Sequence, residues 1–576
     1  MQNQLMCPVE RTKANIVTRL KCPVKRPAGY LPADACYSMG YTVSGPGTVY
    51  DMLNGLYTEI APLSTHWVTE FLYDKNFYPG QIVFLSASCG TGKNEYVRFM
   101  VENKRYARVL ILANRKANKT QIMAKLGING KEVFRSAVVK SYQSLELSSG
   151  ISSENLEDYD LIVADEAHYF LSDSLFNPRV NVSLKKIMLA KRPAKILMSA
   201  TLSDIESLVI GKMKEKRKTP FIGNNAVRYQ MIRSKQNIAS VACIDYNELE
   251  AQIAKSGEKW LIFVDSIKKG QDLQKTIGAS SVFICAENSE GEGKAAAELR
   301  NLVENEKQQH RVVISTSILD NGITIKDTTL INIVIDCNDR VEMVQMLGRK
   351  RCINSEDFFH LFIIYKDAAD LNKSYQLNEA EIRSWRETNI LLRRNDFPPI
   401  AYSLETEEGK NCRRMIYMDE SKKSFEFNWL GYYKLLLNRR DLQELCSADD
   451  PFMVKLHWLF EGIRMPEITA DTGSVLGGKK ERILSAIQQF TGGTYPVKSK
   501  AFKEFQEAFS ESFWREFSVD KEENHRSDRL LTPGKIKAVC EKYEIPLILE
   551  KLQITAEKRR ITAYHICIEC DASIIA

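Results

Sequence analysis

The chain has 576 residues, of which 44% are hydrophobic and 27% are charged, and its formal net charge is +7. This length exceeds what one hydrophobic core normally organises, so we expect three or four domains. The composition is that of an ordinary globular protein, and no stretch is apolar for long enough to predict a membrane-spanning helix. The mild positive charge suits a polyanionic partner without requiring one.

The N-terminus and the cysteines bear on the compartment. Residues 1–21 carry basic side chains but lack the apolar block of a secretory signal, so we expect a cytoplasmic protein with reduced thiols. Cys567 and Cys570 have the spacing of a metal-binding pair, with His565 just before them. A zinc site needs about four ligands. Since no second close pair lies nearby in the sequence, ordinary thiols are the preferred interpretation.

The first part of the chain predicts an irregular extension followed by one α/β lobe. Residues 1–60 contain several prolines and the run Gly45-Pro46-Gly47, which predict irregular or small appended structure. Residues 61–218 then alternate short apolar runs with helical stretches, the pattern of βα units around a parallel sheet. The predicted strands of this lobe are Gln81–Ala87, Arg108–Asn114, Ala137–Ser141, Tyr159–Asp165 and Ala194–Ser199.

The same alternation starts again after a basic segment and predicts a second α/β lobe over residues 219–366. Its predicted strands are Trp260–Val264, Ser281–Cys285, Arg311–Ser315, Leu330–Asp336 and Phe358–Tyr365. Residues 367–576 change character and predict a mainly α-helical accessory region. The amphipathic stretches that indicate it are Asn378–Arg393, Tyr432–Leu445, Lys480–Phe490 and Ala501–Phe517.

A glycine-rich segment follows the first predicted strand and opens a helical stretch. It consists of Ser88, Cys89, Gly90, Thr91, Gly92, Lys93 and Asn94. It resembles a Walker A loop, in which glycines let backbone N–H groups surround phosphate oxygens and a lysine neutralises the β- and γ-phosphates of ATP. Asn94 stands where such loops carry the Ser or Thr that binds Mg²⁺, and its amide oxygen is the candidate replacement. A simple tight turn is the alternative.

Two adjacent carboxylates lie at the end of a later apolar strand, in the run Asp165-Glu166-Ala167-His168. The carboxyl ends of parallel strands share one edge of a sheet, so these side chains are expected to face the glycine-rich segment. There Asp165 can hold Mg²⁺, and Glu166 can orient and deprotonate an attacking water. A polar strand end without chemistry is the alternative.

The Asp-Glu-Ala-His run resembles the motif of DEAD/DEAH-box helicases of superfamily 2. The resemblance implies an α/β fold of two tandem RecA-like parallel-sheet lobes that bind ATP, Mg²⁺ and nucleic acid. Ser199-Ala200-Thr201 is similar to the family's short hydroxyl motif, which links hydrolysis to lobe movement. Arg115 and Gln143 lie where the family contacts the nucleic-acid backbone, although exposed loops explain both positions as well.

The second lobe continues the resemblance. The run Trp260–Ser266 resembles the family's fourth motif, and an ordinary core strand is its alternative. Thr316 to Gly322 keeps the spacing of the fifth motif, which implies that Thr316 touches the nucleic-acid backbone and that Asp320 or Gly322 lies near the nucleotide.

The segment Gln345–Arg351 resembles the family's arginine-finger motif, Gln-x-x-Gly-Arg-x-Gly-Arg. The resemblance places Gln345, Arg349 and Arg351 at the catalytic site. A permanently charged guanidinium can reach across a cleft and stabilise the transferring phosphoryl group. Arg351 comes one residue earlier than the family's second arginine and Cys352 occupies the usual place, so Arg349 is the preferred assignment. A solvated basic helix is the alternative.

Together these motifs predict an ATP-dependent helicase that translocates along, or unwinds, DNA or RNA. Two alternatives remain open: a double-strand translocase or motor subunit of a nuclease or replication complex, and a nucleic-acid binding protein with a decayed ATPase. A nucleotide kinase shares the glycine-rich loop but explains neither the two lobes nor the paired carboxylates followed by the arginine motif. Replication or mobile-element proteins are candidate partners by analogy.

The accessory region contributes aromatic and basic residues without a recognisable motif. Its tryptophans either fill cores or form a surface for nucleic acid or a partner protein. They are Trp385, Trp429, Trp458 and Trp514, and the accompanying basic pairs are Arg393-Arg394, Arg413-Arg414 and Arg439-Arg440. Leu531–Ile545 is a candidate DNA-binding helical element.

Overall fold

A computed structural model shows the fold of most of the chain. It describes residues 41–45, 48–51, 56–62, 64–114, 119–120, 122–123, 126, 133–134, 136–146, 155–217, 225–232, 237–319, 323–394, 413–419, 422–461, 463, 465–517, 530–556 and 559–568. Within these ranges no helix combines the length and the apolar character that crossing a membrane requires.

The first lobe is built on a ten-stranded sheet in the order β1-β2-β3-β10-β4-β9-β8-β5-β7-β6. The strands are β1 Tyr41–Gly45, β2 Thr48–Asp51, β3 Leu56–Ile60, β4 Ile82–Ala87, β5 Val109–Ala113, β6 Val133–Phe134, β7 Ala137–Ser141, β8 Leu161–Asp165, β9 Ala194–Ser199 and β10 Ala226–Met231. Seven neighbouring strands of this sheet, in the order β3-β10-β4-β9-β8-β5-β7, are mutually parallel. Every residue of β5 and β8 is buried, because helices cover both faces of the sheet.

All five strands predicted for this lobe are present, and the sheet extends past the predicted limits of the lobe. β3 comes from the predicted N-terminal extension, and β10 comes from the predicted second lobe. β10 joins the sheet between β3 and β4. It carries Arg228, which is buried because it pairs with Glu206. Buried strands are predicted from continuous apolar runs, and the charged side chain of Arg228 interrupts that run in β10.

The second lobe contains a seven-stranded, entirely parallel sheet. Its strands are β11 Ile238–Ile244, β12 Lys259–Phe263, β13 Ser281–Ile284, β14 Val312–Ser315, β15 Leu330–Ile335, β16 Phe359–Ile364 and, from the accessory region, Glu467–Ala470. The order is β13-β14-β12-β15-β16-β11, with Glu467–Ala470 beside β11 at the edge. The five strands predicted for this lobe are confirmed. The predicted α/β fold of two parallel-sheet lobes is confirmed as well.

Helices surround both sheets. Those of the first lobe are Val68–Phe71, Lys93–Glu102, Gln143–Glu146, Tyr169–Ser172, Val180–Leu189 and Ser203–Arg217. Those of the second are Tyr246–Lys255, Ile267–Ile277, Lys294–Asn305 and Arg340–Leu347. Short 3₁₀ turns lie at Leu156–Asp158, Gly278–Ser280, Ser317–Leu319 and Gln488–Phe490. Asp245, Ser266 and Asp339 cap three of the second-lobe helices with side-chain oxygens that accept first-turn N–H groups.

The accessory region is mainly helical, as predicted, but it also contains small antiparallel sheets. Its helices are Ala368–Arg393, Trp429–Ser447, Pro451–Phe460, Thr472–Ile487, Lys500–Phe517 and Pro533–Tyr543. A hairpin pairs Ile416–Asp419 with Ser424–Phe427, and a three-stranded sheet joins Thr494–Pro496, Arg559–Ile568 and Leu547–Ala556.

One accessory helix, Trp429–Ser447, packs against both lobes. Leu430 and Leu437 belong to a core cluster of the first lobe. Leu445 belongs to the core of the second lobe. Burial of apolar side chains on both sides makes this helix a physical bridge between the lobes.

Candidate active site

The glycine-rich segment lies between β4 and the helix Lys93–Glu102, at the carboxyl edge of the first sheet. Gly90 and Gly92 have φ of 80° and 84°, a region that residues with a side chain rarely adopt. Gly92 is the N-cap residue of the helix, and no side chain caps that helix end. The positive end of the helix therefore faces the loop, which is the geometry of an anion-binding site.

Thr91 and Lys93 hold the loop from within. The Thr91 hydroxyl donates to the Ser88 carbonyl oxygen at 2.7 Å. The Lys93 ammonium donates to the Ala87 carbonyl oxygen at 2.8 Å, and the residue is only 8% exposed. Asn94 is half-buried in the first turn of the helix. The predicted phosphate-binding residues are thus brought together around one loop.

The loop lies in a positive field. Burial would raise the pKa of the Cys89 thiol, yet the nearby charges of Arg351 and Lys93 bring that pKa below its ordinary value. Because the same field stabilises any anion placed there, a phosphate group suits this position.

The two predicted carboxylates lie beside the loop. Asp165 ends β8, is 2% exposed, and accepts the Glu166 backbone N–H at 3.1 Å. Glu166 has φ of 50°, which is uncommon for a residue with a side chain. Backbone strain of this kind is concentrated at functional sites, and here it turns the chain sharply at the end of the strand.

Glu166 lies in a small polar network. One of its carboxylate oxygens is 3.3 Å from His168 Nδ1 and accepts from the Ser199 hydroxyl at 3.4 Å. Burial would raise the pKa of Glu166, but the hydrogen bond with His168 and the charge of Lys93 hold the pKa below its usual range. The carboxylate is therefore ionised at neutral pH and oriented by its partners.

A chain of hydrogen bonds runs from this network across the cleft. Ser199 Oγ accepts the Thr201 backbone N–H at 3.1 Å. Thr201 Oγ1 accepts from Gln345 Nε2 at 3.1 Å, and Gln345 Oε1 accepts from Arg349 Nη2 at 2.8 Å. The hydroxyl motif of the first lobe thus contacts the helix Arg340–Leu347 of the second.

The end of that helix packs directly against the glycine-rich loop of residues 88–94. A methyl group built on Gly348 would lie 2.7 Å from Cys89 Sγ, so a larger residue would have to displace the Cys89 side chain or the segment itself. A methyl group built on Gly90 would lie 3.2 Å from Arg351 Nη1. The Arg351 guanidinium is therefore seated on the loop.

Arg349 occupies a different environment from Arg351. It is 4% exposed, and its guanidinium donates to the Gln345 carbonyl oxygen at 2.9 Å and to the Ile323 carbonyl oxygen at 3.1 Å. These bonds fix the segment that follows the helix, and the charge of Arg349 also reaches Glu166 of the first lobe, whose pKa it helps to lower. Of the two candidate arginines, the structure places Arg351 against the loop, while the preferred assignment from the sequence was Arg349.

The residues predicted to contact nucleic acid lie at strand ends of both sheets. Gln143 follows the carboxyl end of β7, and Thr316 follows that of β14; both are half-buried. Arg115, Asp320 and Gly322 lie outside the described residues. Cys570 does as well, and the part of the chain that the structure describes has no cluster of three or more metal-binding side chains.

Two features of the site were not predicted from the sequence. Trp67 packs against the loop, because a methyl group built on Gly92 would lie 3.0 Å from its ring, and the residue is 46% exposed. Lys434, on the bridging helix, forms an ion pair with Asp339. Asp339 also caps the helix Arg340–Leu347, accepting the N–H groups of Val341 and Glu342 at 2.9 and 3.1 Å.

A cleft of about 520 Å³ opens beside the phosphate loop between the lobes. The first lobe contributes Cys89 and Thr201 to its walls, and the second contributes Gly348. The accessory region closes one side with residues 458–461. The bridging helix reaches the same area, since Arg440 pairs with Asp204 at 3.1 Å, three residues after Thr201.

The fold is that of two tandem RecA-like lobes, which meet at the glycine-rich loop of residues 88–94. Several solved structures are similar to this one in fold. S. cerevisiae Dbp5 bound to RNA and ADP BeF3 matches with a TM-score of 0.37 and 14% identity over 52% of this chain and 82% of that one. Mycobacterium smegmatis helicase Lhr bound to ssDNA and AMP-PNP matches with a TM-score of 0.35 and 14% identity, over 51% and 44% of the two chains.

Escherichia coli DEAH/RHA helicase HrpB matches with a TM-score of 0.34 and 11% identity, over 81% of this chain and 58% of that one. No family model and no curated protein matches the sequence. These likenesses concern the fold alone, and the role of each residue rests on the geometry of the site.

Proposed function

We propose that this protein is an ATPase that binds ATP between its lobes and couples hydrolysis to movement along nucleic acid. The observation that carries the proposal is the set of contacts across the cleft. Gly348 and Arg351 lie on the phosphate loop, and Gln345 bonds to Thr201. A group bound at the loop would therefore touch both lobes, so its cleavage would change how the lobes hold each other.

The residues around the loop fit a nucleoside triphosphate. The loop amides and Lys93 suit the β- and γ-phosphates. Trp67 offers a partly exposed aromatic ring beside the loop, on which a base can stack. Asp165 is the residue that would hold Mg²⁺, with the Asn94 amide oxygen as a second candidate. When bound, Mg²⁺ neutralises phosphate charge during the reaction.

Hydrolysis follows from the positions of Glu166 and Arg351. A water oxygen forms a bond to the γ-phosphorus while the bond between that phosphorus and the ADP oxygen breaks. Glu166 accepts the proton that the water loses, which requires the ionised carboxylate that its surroundings favour. Arg351 stabilises the negative charge on the transferring phosphoryl group.

The nucleic acid is assigned to the carboxyl edges of the two sheets, where Gln143 and Thr316 lie. We expect contacts at these edges to be made with the sugar-phosphate backbone. Binding should then be independent of base sequence and should weaken as the salt concentration rises. Two lobes that hold the strand in turn would move along it. We place this activity in the cytoplasm, with replication or mobile-element proteins as candidate partners.

The proposal is tested by steady-state phosphate release from ATP, measured alone and with single- or double-stranded DNA or RNA. We expect one of these polymers to stimulate hydrolysis, and that result would identify the nucleic acid along which the protein moves. Absence of hydrolysis with every polymer, in protein that still binds nucleic acid, would instead support a binding protein with a decayed ATPase.

Gly348→Ala tests the close contact between the lobes. The added methyl group would lie 2.7 Å from Cys89 Sγ and push the helix away from the phosphate loop. We expect a loss of hydrolysis of about 100-fold, since a displacement of one ångström at a reacting centre has that effect. Gly477→Ala is the control, because nothing lies within 4 Å of the added methyl group. Equal activity of the two variants would contradict the close approach of the lobes.

Lys434→Met tests the ion pair between the accessory region and the capping residue of the helix Arg340–Leu347. Removing one partner of a buried ion pair leaves Asp339 uncompensated, which lowers the free energy of unfolding by about 3–5 kcal/mol. Urea denaturation measures this loss. The double variant Lys434→Met/Asp339→Asn removes both charges and keeps a capping side chain, so it should regain most of the stability. An unchanged midpoint in Lys434→Met would show that the pair contributes nothing.

A further inference from the structure

The four tryptophans of the accessory region differ in exposure, and Trp514 is half-buried against a core cluster. Trp385 and Trp458 are 0% and 5% exposed and fill cores. Trp429 is 45% exposed, although it begins the helix that bridges the lobes. Single exposed apolar side chains are common, and several others occur in the described residues, so the case for Trp429 as a binding residue rests on the groups around it.

The ring of Trp429 is held in a fixed orientation. It packs edge-to-face against Phe427, with ring centroids 4.9 Å apart, and against Tyr432 at 6.2 Å. The Arg393 guanidinium lies over the Trp429 ring, 5.7 Å from its centroid. Tyr432 is itself anchored, because its hydroxyl oxygen accepts from Arg386 Nε at 2.7 Å. An aromatic ring with restricted motion loses little entropy when a flat ligand stacks on it.

Arginines extend this surface along the helix Ala368–Arg393. Arg383, Arg386, Ile390 and Arg393 follow helical spacing on one exposed face. Over residues 383–394 the charged side chains are Arg383, Arg386, Glu387, Arg393 and Arg394, all exposed, so four positive charges minus one negative charge leave +3. The aromatic ring thus stands at the end of a positively charged stripe.

The hairpin adds a second exposed aromatic ring. Phe425 is 38% exposed and lies on the strand Ser424–Phe427, which ends two residues before Trp429. Met418, the residue opposite Phe425 in the hairpin, is 37% exposed. We call Trp429, Phe425, Arg383, Arg386 and Arg393 the aromatic-arginine patch.

We propose that the aromatic-arginine patch binds single-stranded nucleic acid, as a second holding site outside the two lobes. The charge decides between this ligand and a protein partner: guanidinium groups complement phosphates, and a stacked ring accepts any base. This inference rests on the proposed function, because the strand held at the patch is the one that the two lobes are proposed to move along. Trp429 and Lys434 lie on one helix, so a strand held at the patch is attached to the element that contacts Asp339 of the second lobe.

Fluorescence anisotropy with labelled 20-nucleotide dT and rU strands tests the patch on the full chain. Trp429→Ala should weaken binding by about 5- to 150-fold, the range observed when one base loses its aromatic partner. Trp429→Phe keeps a ring and should recover most of the affinity. Arg393→Ala should also weaken binding and make it less sensitive to salt. Tyr78→Ala removes a ring that is 67% exposed on the first lobe and should bind as wild type.

Two further readouts separate this inference from the proposed function. ATP hydrolysis without nucleic acid should be unchanged in Trp429→Ala, because Trp429 touches none of the candidate catalytic residues. Strands carrying 5-iodouracil should photocrosslink to the peptide that contains Trp429. If Trp429→Ala binds both strands like wild type and no crosslink forms there, the patch does not bind nucleic acid, even where nucleic acid still stimulates hydrolysis. A crosslink and a binding defect without stimulated hydrolysis would uphold the patch and overturn the motor.

Discussion

Glu166→Gln is expected to bind ATP and to hydrolyse it about 100- to 10,000-fold more slowly than the unchanged protein. The amide has the shape of the carboxylate and can still contact His168 and Ser199, but it cannot take a proton from water. Single-turnover phosphate release gives the rate, and titration with a fluorescent ATP analogue gives the affinity. The loss should fall on the rate alone.

The pH dependence sharpens this prediction. Because the pKa of Glu166 is held below the usual range of a glutamate, its carboxylate stays ionised over the whole neutral range. Activity should therefore show no loss from protonation of Glu166 between about pH 6 and 8. Glu511→Gln changes an exposed carboxylate far along the chain and serves as the control. A Glu166→Gln variant as fast as this control would remove Glu166 from the chemistry.

Arg351→Ala is expected to lower the turnover rate by about 1,000-fold or more while leaving the fold intact. Its guanidinium lies on the phosphate loop, within reach of a transferring phosphoryl group. Arg349→Ala should behave differently, because the Arg349 guanidinium joins Gln345 and Ile323 inside the second lobe. Its loss should lower both the activity and the thermal unfolding temperature.

Thermal unfolding and turnover, measured on both variants, distinguish the two assignments. The geometry predicts that stability falls in Arg349→Ala and holds in Arg351→Ala. If Arg349→Ala loses turnover at unchanged stability while Arg351→Ala keeps it, the arginine finger is Arg349, as the resemblance of the sequence implies. Lys350, between them, is buried against Asp357 at 2.6 Å and is not expected to act on phosphate.

The parallel strands could be predicted because burial on both faces leaves continuous apolar runs. β8 is such a run, and the carboxylates directly after it could be placed at the sheet edge by the same reasoning. β10 could not be predicted in this way, because its Arg228 is buried in an ion pair with Glu206 from a separate helix. Pairings between distant segments leave no periodic pattern in the sequence.

The candidate site also has parts that could be predicted from the sequence and parts that could not. The phosphate loop is contiguous, so its glycines and Lys93 could be recognised together. Trp67 and Lys434 reach the site only through the folded chain, and nothing in their local sequence marks them. The position of Arg351 depends on how closely Gly348 approaches Cys89, which is a property of two lobes in contact.

The most direct test of the account is the affinity of the full chain for a single strand in different nucleotide states. Anisotropy should be measured without nucleotide, with ADP, and with ADP and beryllium fluoride. If ATP closes the lobes on the strand, the beryllium fluoride state should bind about 5- to 150-fold more tightly than the ADP state, and Arg351→Ala should abolish that difference. Equal affinity in all three states would mean that the cleft and the nucleic acid are not coupled, and the motor would be excluded.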